Sequence, residues 1–408
     1  MKITNKKLKP IENLEEEIAR IKDIKEDLMG ENGLIKRLVK QTVEVMLEGE
    51  MINHLGYSKN DNIGDNSGNS RNGYSSKTLR SGEGKIEVSI PRDRNSEFDP
   101  VIVKKYNRGL NDGFDAKIIS MYGFGMSNAD INHHLDEMYG LEISDSEISN
   151  ITDQIIPEIE EWKTRPLATT YLVIYIDGIW FNVKENGKIV NKCEYNMLGI
   201  DTMGHKEILG IWMSDNETAS TWSRFLTDIK GRGVKDILIA CMDGLPGLAS
   251  AVQAVFPNTI IQNCVVHQIR NTLKYIKSEK RKEFTRDLRS VYGAINEETA
   301  LNALGAIEEK YPEYVHALKS WRTNWDNLTT YFDFPYEIRK IIYTTNAIES
   351  FHSQIRKVTK TKRVFTTSQS LEKLIYLVME RIQKKWTMPI ANFGQILTQF
   401  QIFFEGRC

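Results

Sequence analysis

Apolar positions recur at helical spacing as far as Trp162, form strand-like runs between Tyr171 and Gln262, and return to helical spacing beyond. Leu14, Ile18, Ile21, Ile24 and Leu28 stand among charges and predict a short amphipathic helix over 12–30, a dimerising or mobile arm. A second helix is predicted over 33–55, with Leu34, Leu38, Val43 and Leu47 on its apolar side. Fifteen of the twenty residues in Tyr57–Ser76 are Asn, Ser, Gly or Asp, the composition of a loop. Lys85–Ile90 alternates strictly, with Ile86, Val88 and Ile90 on one face, and reads as a one-sided strand stopped by Pro91. Residues 113–162 read as helices, with Ser127 placed to cap one that ends near Gly140 and Ser144 to cap the next. The turn Gly140–Ile143 makes that pair a helix-turn-helix candidate, and an ordinary helical hairpin is the alternative. The second helix carries Asp145, Glu147, Asp153 and Glu158, which counts against its lying in a major groove.

The β-rich run Tyr171–Lys184 is followed by a turn at Glu185–Gly187 and a strand at Ile189–Ile200. Another turn at Asp201–His205 leads to a strand at Glu207–Met213. A helix over Thr218–Lys230, a buried strand Ile237–Met242, a helix over Pro246–Val255 and a short strand Thr259–Gln262 come next. A basic helix over Val265–Ile276 leads into residues 279–343, which read as wholly helical with Trp321 and Trp325 in their core. Thr345-Asn346 then opens a further helix. Three antiparallel strands followed by α, β, α, β and a helix is the order of an α/β, ribonuclease-H-like mixed sheet, here interrupted by an all-helical insertion.

Composition narrows the class only a little. Lys and Arg number 54 against 55 Asp and Glu, a net charge of −1, and 40% of residues are hydrophobic. These values exclude a wholly disordered chain and a coiled-coil rod. Runs such as Tyr171–Ile176 are too short to span a bilayer, and the opening MKITNKKLKPIENL has no apolar core of a secretory signal. The four cysteines, Cys193, Cys241, Cys264 and Cys408, form no disulfide framework, and a cytoplasmic location is expected. The near-zero charge is a sum of opposites. Residues 101–150 total −4, whereas Arg270–Arg289 holds eight bases against three acids and Phe351–Lys385 nine against two. Arg71, Lys77, Arg80, Lys85, Arg92 and Arg94 form a third basic island. Each island is either a solvated face or a surface able to neutralise several phosphates.

Asp177 follows the apolar run Leu172–Ile176, and Asp243 follows the buried strand Ile237–Met242. Ligand sites in open α/β sheets lie at the carboxyl ends of strands, so adjacent strands would bring these acids together. Two close carboxylates repel unless a cation sits between them, and a hard ion such as Mg²⁺ takes oxygen ligands. The alternatives are that Asp177 starts a turn and Asp243 caps the following helix. Glu349 fits a capping-box pattern opened by Asn346, or else it is a third metal ligand presented from a helix beside the sheet. Arg356 and Lys360 fall on roughly the same helix side as Glu349. Acids that hold metal beside bases that hold phosphate are what phosphodiester chemistry needs. Cys264 and His267 have a C-x-x-H spacing that is only half a zinc site, so a structural role is the simpler reading.

These residues carry a resemblance. YIDGIWFNVK at 175–184, DGLPGL at 243–248, FPNTIIQNCVVHQIRN at 256–271, TTNAIESFHSQIRK at 344–357 and RNGYSSKTLRSGEGKIEVSIPRDR at 71–94 resemble the motifs of Mutator family transposases, the DDE enzymes of bacterial insertion sequences. HLGY at 54–57 and the tail from Trp386 to Phe404 fit as well. The resemblance implies a DNA transposase whose catalytic and metal-binding triad is Asp177, Asp243 and Glu349, with Mg²⁺ or Mn²⁺, two ions per site, as cofactor. It implies that Cys264 and His267 are the family's C-x-x-H signature. One departure is His352, where Asn would be expected. Arg71, Lys77, Arg80, Arg92, Arg94, Arg270, Lys274, Arg356 and Lys360 are the expected DNA contacts. The expected partners are inverted-repeat and target DNA, together with further copies of the chain in a dimer or higher assembly. The expected organisation is an arm at 1–32, a DNA-binding region at 33–110 and a helix-turn-helix-like domain at 111–168. The catalytic core follows at 169–278 and 344–408, around a helical insertion at 279–343. A nuclease or junction resolvase with the same acids, a non-catalytic DNA-binding regulator and a glycoside hydrolase with paired carboxylates are the rivals.

Overall fold

A computed structural model describes residues 11–28, 30, 32–59, 61, 68–81, 84–103, 112–139, 143–216, 218–343 and 345–408. The chain forms two compact units, Met1–Gln154 and Ile155–Cys408. The start of the chain read for a secretory signal, residues 1–10, lies outside the described residues.

In the first unit, helix α1 (Leu14–Ala19) is capped by Asn13, whose side chain accepts from Glu15 N at 3.1 Å. The helix expected over 12–30 is broken. Asp27 Oδ2 accepts the backbone N–H groups of Lys22 and Asp23 at 2.9 and 3.0 Å, and a separate π-helical turn follows at Ile24–Leu28. A side-chain carboxylate that captures backbone donors competes with the helix in this way. Helix α2 (Leu34–Leu55) ends on Gly56, which takes the left-handed φ of 79° that a glycine stop uses. Strands β1 (Arg71–Ser81) and β2 (Gly84–Asp93) pair antiparallel and, with α2, bury Val43, Leu47, Leu79, Ile86 and Val88.

Two expectations fail in this ribbon. β1 begins at Arg71, inside the stretch read as loop, because the wet face of a two-stranded ribbon needs no apolar residues. Residues 60 and 62–67 of that stretch lie outside the described residues. β2 runs through Pro91 rather than stopping there. Each strand of a pair has one free edge, where a missing N–H breaks no ladder bond. Helices α3 (Asp112–Gly123), α4 (Asn128–Tyr139) and α5 (Asp145–Asp153) bury Phe114, Ile118, Leu135 and Ile148. Ser127 Oγ accepts from Asp130 N and Ser144 Oγ from Glu147 N, at 3.1 and 3.2 Å, as the capping pattern predicts. Residues 140–142 of the predicted turn lie outside the described residues.

The second unit begins with α6 (Ile156–Thr164) and is built on one mixed sheet. Its strands are β3 (Thr170–Glu185), β4 (Lys188–Asp201), β5 (Lys206–Ser214), β6 (Asp236–Met242) and β7 (Ile260–Asn263), in the order β5-β4-β3-β6-β7. β3, β4 and β5 are antiparallel, and β6 and β7 extend the sheet in parallel with β3. Asn186 and Gly187, with φ of 48° and 79°, make the tight turn between β3 and β4.

Helices α7 (Ala219–Gly231) and α8 (Leu248–Val255) cover one face, where Trp222, Phe225, Leu226 and Val252 pack on Ile174, Tyr195, Met197 and Ala240. Helix α9 (Val265–Leu273) follows β7. The chain is then helical through α10 (Arg281–Tyr292), α11 (Glu297–Lys310), α12 (Val315–Thr323), α13 (Trp325–Thr329) and α14 (Tyr336–Ile342). Trp321 and Trp325 are buried there, as the pattern predicts. Helices α15 (Asn346–Thr359) and α16 (Ser368–Gln383) pack against β3, and α17 (Phe393–Phe403) packs on α14. Helices therefore cover both faces of the central strand β3. That is why its first half reads as a continuous apolar run. No described helix is long and apolar enough to cross a membrane.

Candidate active site

The last parallel pair between β3 and β6 joins Ile176 to Met242, so Asp177 and Asp243 stand side by side one residue further on. Asp177 starts no turn, because β3 continues to Glu185 with Asp177 opposite Asn196 on β4. Asp243 caps no helix, because the N-cap of α8 is Gly247 and makes no side-chain cap bond. One ligand atom from each of Asp177, Asp243 and His267 lies within 4.8 Å of the others, a group able to hold a metal ion.

His267 comes from the first turn of α9, and its Nδ1 lies directly against Asp243 Oδ1. Its Nε2 is 3.7 Å from Glu349 Oε1. Burial disfavours the charged ring, but bonding to Asp243, then to Cys264, outweighs it and pushes the pKa up to about 10. At neutral pH the imidazolium supplies the positive charge that neighbouring carboxylates demand. Cys264 takes no part in the metal-competent group. It is buried, and its Sγ lies 3.2 Å from Thr345 Oγ1, tying the start of α9 to the start of α15.

Asp177 is held from the opposite side. Its Oδ2 lies 3.2 Å from His352 Nδ1 on α15, and its Oδ1 accepts from Gly178 N at 2.8 Å. Burial works against the charge of Asp177, yet bonding to His352, helped by the nearby His267, keeps its pKa below the usual value. His352 Nε2 is 3.1 Å from Asn196 Nδ2, which also donates to Glu194 Oε2 at 2.8 Å. With the amide so oriented, Nε2 is the acceptor and Nδ1–H faces Asp177. Burial, reinforced by the charges of Asp177 and Glu372, outweighs the Asn196 bond and raises Glu194 to about 8. His352, Asn196 and Glu194 are all buried. The sequence reading found only His352, as a departure from family pattern. The signal for the others is Glu194 and Asn196 themselves, two polar residues at strand spacing inside the buried, otherwise apolar part of β4, residues 193–200.

Glu349 lies on the first turn of α15, whose N-cap is Thr345 without a side-chain bond, so the capping box opened by Asn346 is not formed. Its carboxylate instead accepts from Arg270 Nη1 and Nη2, at 2.7 and 3.0 Å. The structure thus brings the two aspartates together with His267 and sets Glu349 beside them, on the far side of the imidazole and paired with Arg270. Lys274 donates to Asn271 Oδ1 at 2.8 Å. Arg356 and Lys360 are exposed and make no side-chain bond among the described residues. In the first unit Arg71 pairs with Glu48 at 3.3 Å, Arg92 and Arg94 are exposed, and Lys77 is half-buried. The side chain of Arg80 and the backbone of Thr344, which opens the third motif, lie outside the described residues.

Comparison with known proteins supplies the context. A family model described as "Transposase, Mutator family" matches residues 11–389. A probable transposase for an ISRM3-like insertion sequence element from Sinorhizobium fredii is 39% identical over 383 residues, 93% of this chain and 95% of the relative. The transposase for insertion sequence element ISRM3 of Rhizobium meliloti is 38% identical over the same shares. The transposase for insertion sequence element IS905 of Lactococcus lactis is 32% identical over 88% of this chain and 92% of its own length.

Proposed function

The chain belongs to the Mutator family of transposases, and from that premise we propose that it binds the terminal inverted repeats of its insertion sequence and performs metal-dependent strand cleavage and strand transfer. The observation that carries this reading is the parallel pairing of β3 with β6, which sets Asp177, midway along β3, beside Asp243 just past the carboxyl end of β6. The strand order, with three antiparallel strands extended by two parallel ones, supports a ribonuclease-H-like core. The wholly helical stretch α10–α14 between Asp243 and Glu349 is in keeping with an insertion.

Asp177 and Asp243 offer carboxylate oxygens close enough to share a hard divalent ion, and Glu349 stands beyond His267 beside them. Asp177, Asp243 and Glu349 would hold Mg²⁺ or Mn²⁺, two ions per site, and the bound metal would supply Lewis-acid stabilisation and an activated oxygen nucleophile. The chain's own residues do the rest. His352 orients Asp177. The imidazolium of His267 neutralises Asp243 until the site is loaded. Arg270 guards Glu349 and is placed to turn to a phosphate when that carboxylate is drawn inward. Water then cuts the phosphodiester at the transposon end and leaves a 3′-hydroxyl, which displaces a 3′-oxygen in target DNA with no covalent bond to protein. Arg71, Lys77, Arg80, Arg92, Arg94, Lys274, Arg356 and Lys360 are the proposed backbone contacts, and two chains or more synapse the two ends.

A second metal reading is favoured by the close approach of His267 to both aspartates, with Glu349 bound to Arg270. In it His267, not Glu349, is the third ligand. Strand transfer with labelled inverted-repeat oligonucleotides, run beside Mn²⁺ titration, separates the two. The triad reading expects Glu349→Gln to fold normally, to bind Mn²⁺ at least tenfold more weakly and to join no strands. Retained joining by this variant removes Glu349 from the triad. Loss of Mn²⁺ binding in His267→Ala alone transfers its place to the histidine.

A further inference from the structure

A cavity of about 340 Å³ opens directly beside Asp243, between the sheet end, α9 and the helical stretch that follows. Asp243 and Gly244 form one wall, and Asn263, Asn271, Tyr275, His316 and Asn324 are among the residues of the others. Among the described residues no lysine or arginine lines it, and His267, which does, is paired with Asp243. Asn263 is 8% exposed, yet its side chain makes no hydrogen bond among the described residues. A buried amide left in that state has unspent donor and acceptor capacity. The Asn324 side chain is likewise unbonded among the described residues, and Nδ2 atoms of both amides reach the same spot over Gly244. Tyr275, on the turn after α9, is 74% exposed.

Away from the Asp243–His267 pair, whose charges answer each other, the amides beside an exposed tyrosine suit a flat, uncharged ligand with hydrogen-bonding edges better than a phosphate. Asn and Gln amides match the edges of bases, and every base has a face on which an aromatic ring can stack. We propose that this cavity receives one unpaired nucleobase from the strand being cut, a base next to the phosphodiester held at Asp243. Asn263 and Asn324 contact its edge, and Tyr275 stacks on it. The inference rests on the transposase reading, because only a DNA strand reaching Asp243 brings a base to this place. The base must leave its duplex stack to enter, as in enzymes that extrude a nucleotide into a side pocket. No bond is made or broken in the step.

The test uses the full-length protein and duplexes carrying the inverted repeat with flanking DNA. 2-Aminopurine, which brightens when unstacked, replaces each base in turn within two positions of the cleaved bond. Ca²⁺ replaces Mg²⁺ so that no cutting occurs, and fluorescence is read at saturating protein with complex formation checked by gel shift. One position is expected to brighten at least threefold with the wild type. Asn324→Leu and Asn263→Leu, each checked for folding by circular dichroism, are expected to lose most of that rise per bound complex. Full complex formation with no brightening at any position overturns the base pocket and leaves the transposase reading standing. Brightening that persists in both variants also overturns it, since the base is then held elsewhere. Failure to form any complex with the ends overturns the transposase reading and the pocket together.

Discussion

The ring of His352 faces Asp177 with one nitrogen and Asn196 with the other, so its orientation is fixed at both ends. Partners behind a ligand carboxylate set its direction, and losing one typically costs about 10–100-fold in metal affinity. His352→Leu is therefore expected to bind Mn²⁺ at least tenfold more weakly by calorimetry, while His352→Asn, which keeps an N–H toward Asp177, stays near wild type. Wild-type affinity in the Leu variant would show that the ring merely fills space. Glu194 carries a different prediction. Its folded pKa of about 8 lies above its ordinary value of 4.5, so the native state holds a proton that the unfolded chain releases. Stability from this group is present below about pH 4.5 and falls as pH rises through 8. Glu194→Gln, which copies the protonated form, is expected to melt at least several degrees higher than wild type at pH 9 and to narrow the gap near pH 5. An unchanged difference across that range would dismiss the proton. Asp177 and Asp243 were legible in the sequence because each ends an apolar run. The partners of Asp177 and Glu349 were not, because His352, Asn196 and Arg270 reach them from other elements through the tertiary fold.

β3 has to be thin at one point. An added Cβ on Gly178 would lie 2.6 Å from Cys193 Sγ and 2.8 Å from the Tyr195 ring, both buried on the face that packs under α7. Overpacking of this kind costs about 1–3 kcal/mol and shifts backbone. Gly178→Ala is expected to lower the melting temperature by several degrees and to cut strand-transfer rate more than tenfold, because the displaced backbone carries Asp177. A variant with normal activity would show that the strand tolerates the shift. Elements of this sort were read well where burial was two-sided or amphipathic, as in β3, β6 and α2. They were misread where one face is wet and little is buried. The ribbon of β1 and β2 hid its first strand in polar residues, and Asp27 undid a helix that apolar spacing alone supports.

Across the molecule, a net charge of −1 conceals separate basic surfaces. Arg92 and Arg94 lie exposed on or just beyond β2, whereas Arg71 is already committed to Glu48. If the pair meets phosphates, Arg92→Gln with Arg94→Gln should lower the slope of log affinity for end DNA against log salt by about 1.8, at about 0.9 per lost contact. An unaltered slope would place DNA elsewhere on this unit. The same long-range construction sets a timetable. Asp177 and Asp243 leave the ribosome well before Glu349, and so do the strands that carry them, but the helix that brings Glu349 and His352 to β3 is made only after α9 to α14 have followed. A growing or prematurely stopped chain therefore owns the acid pair without Glu349 and without the His352 that orients Asp177. On the proposed reading, any cutting of DNA then waits for that helix to be made and docked.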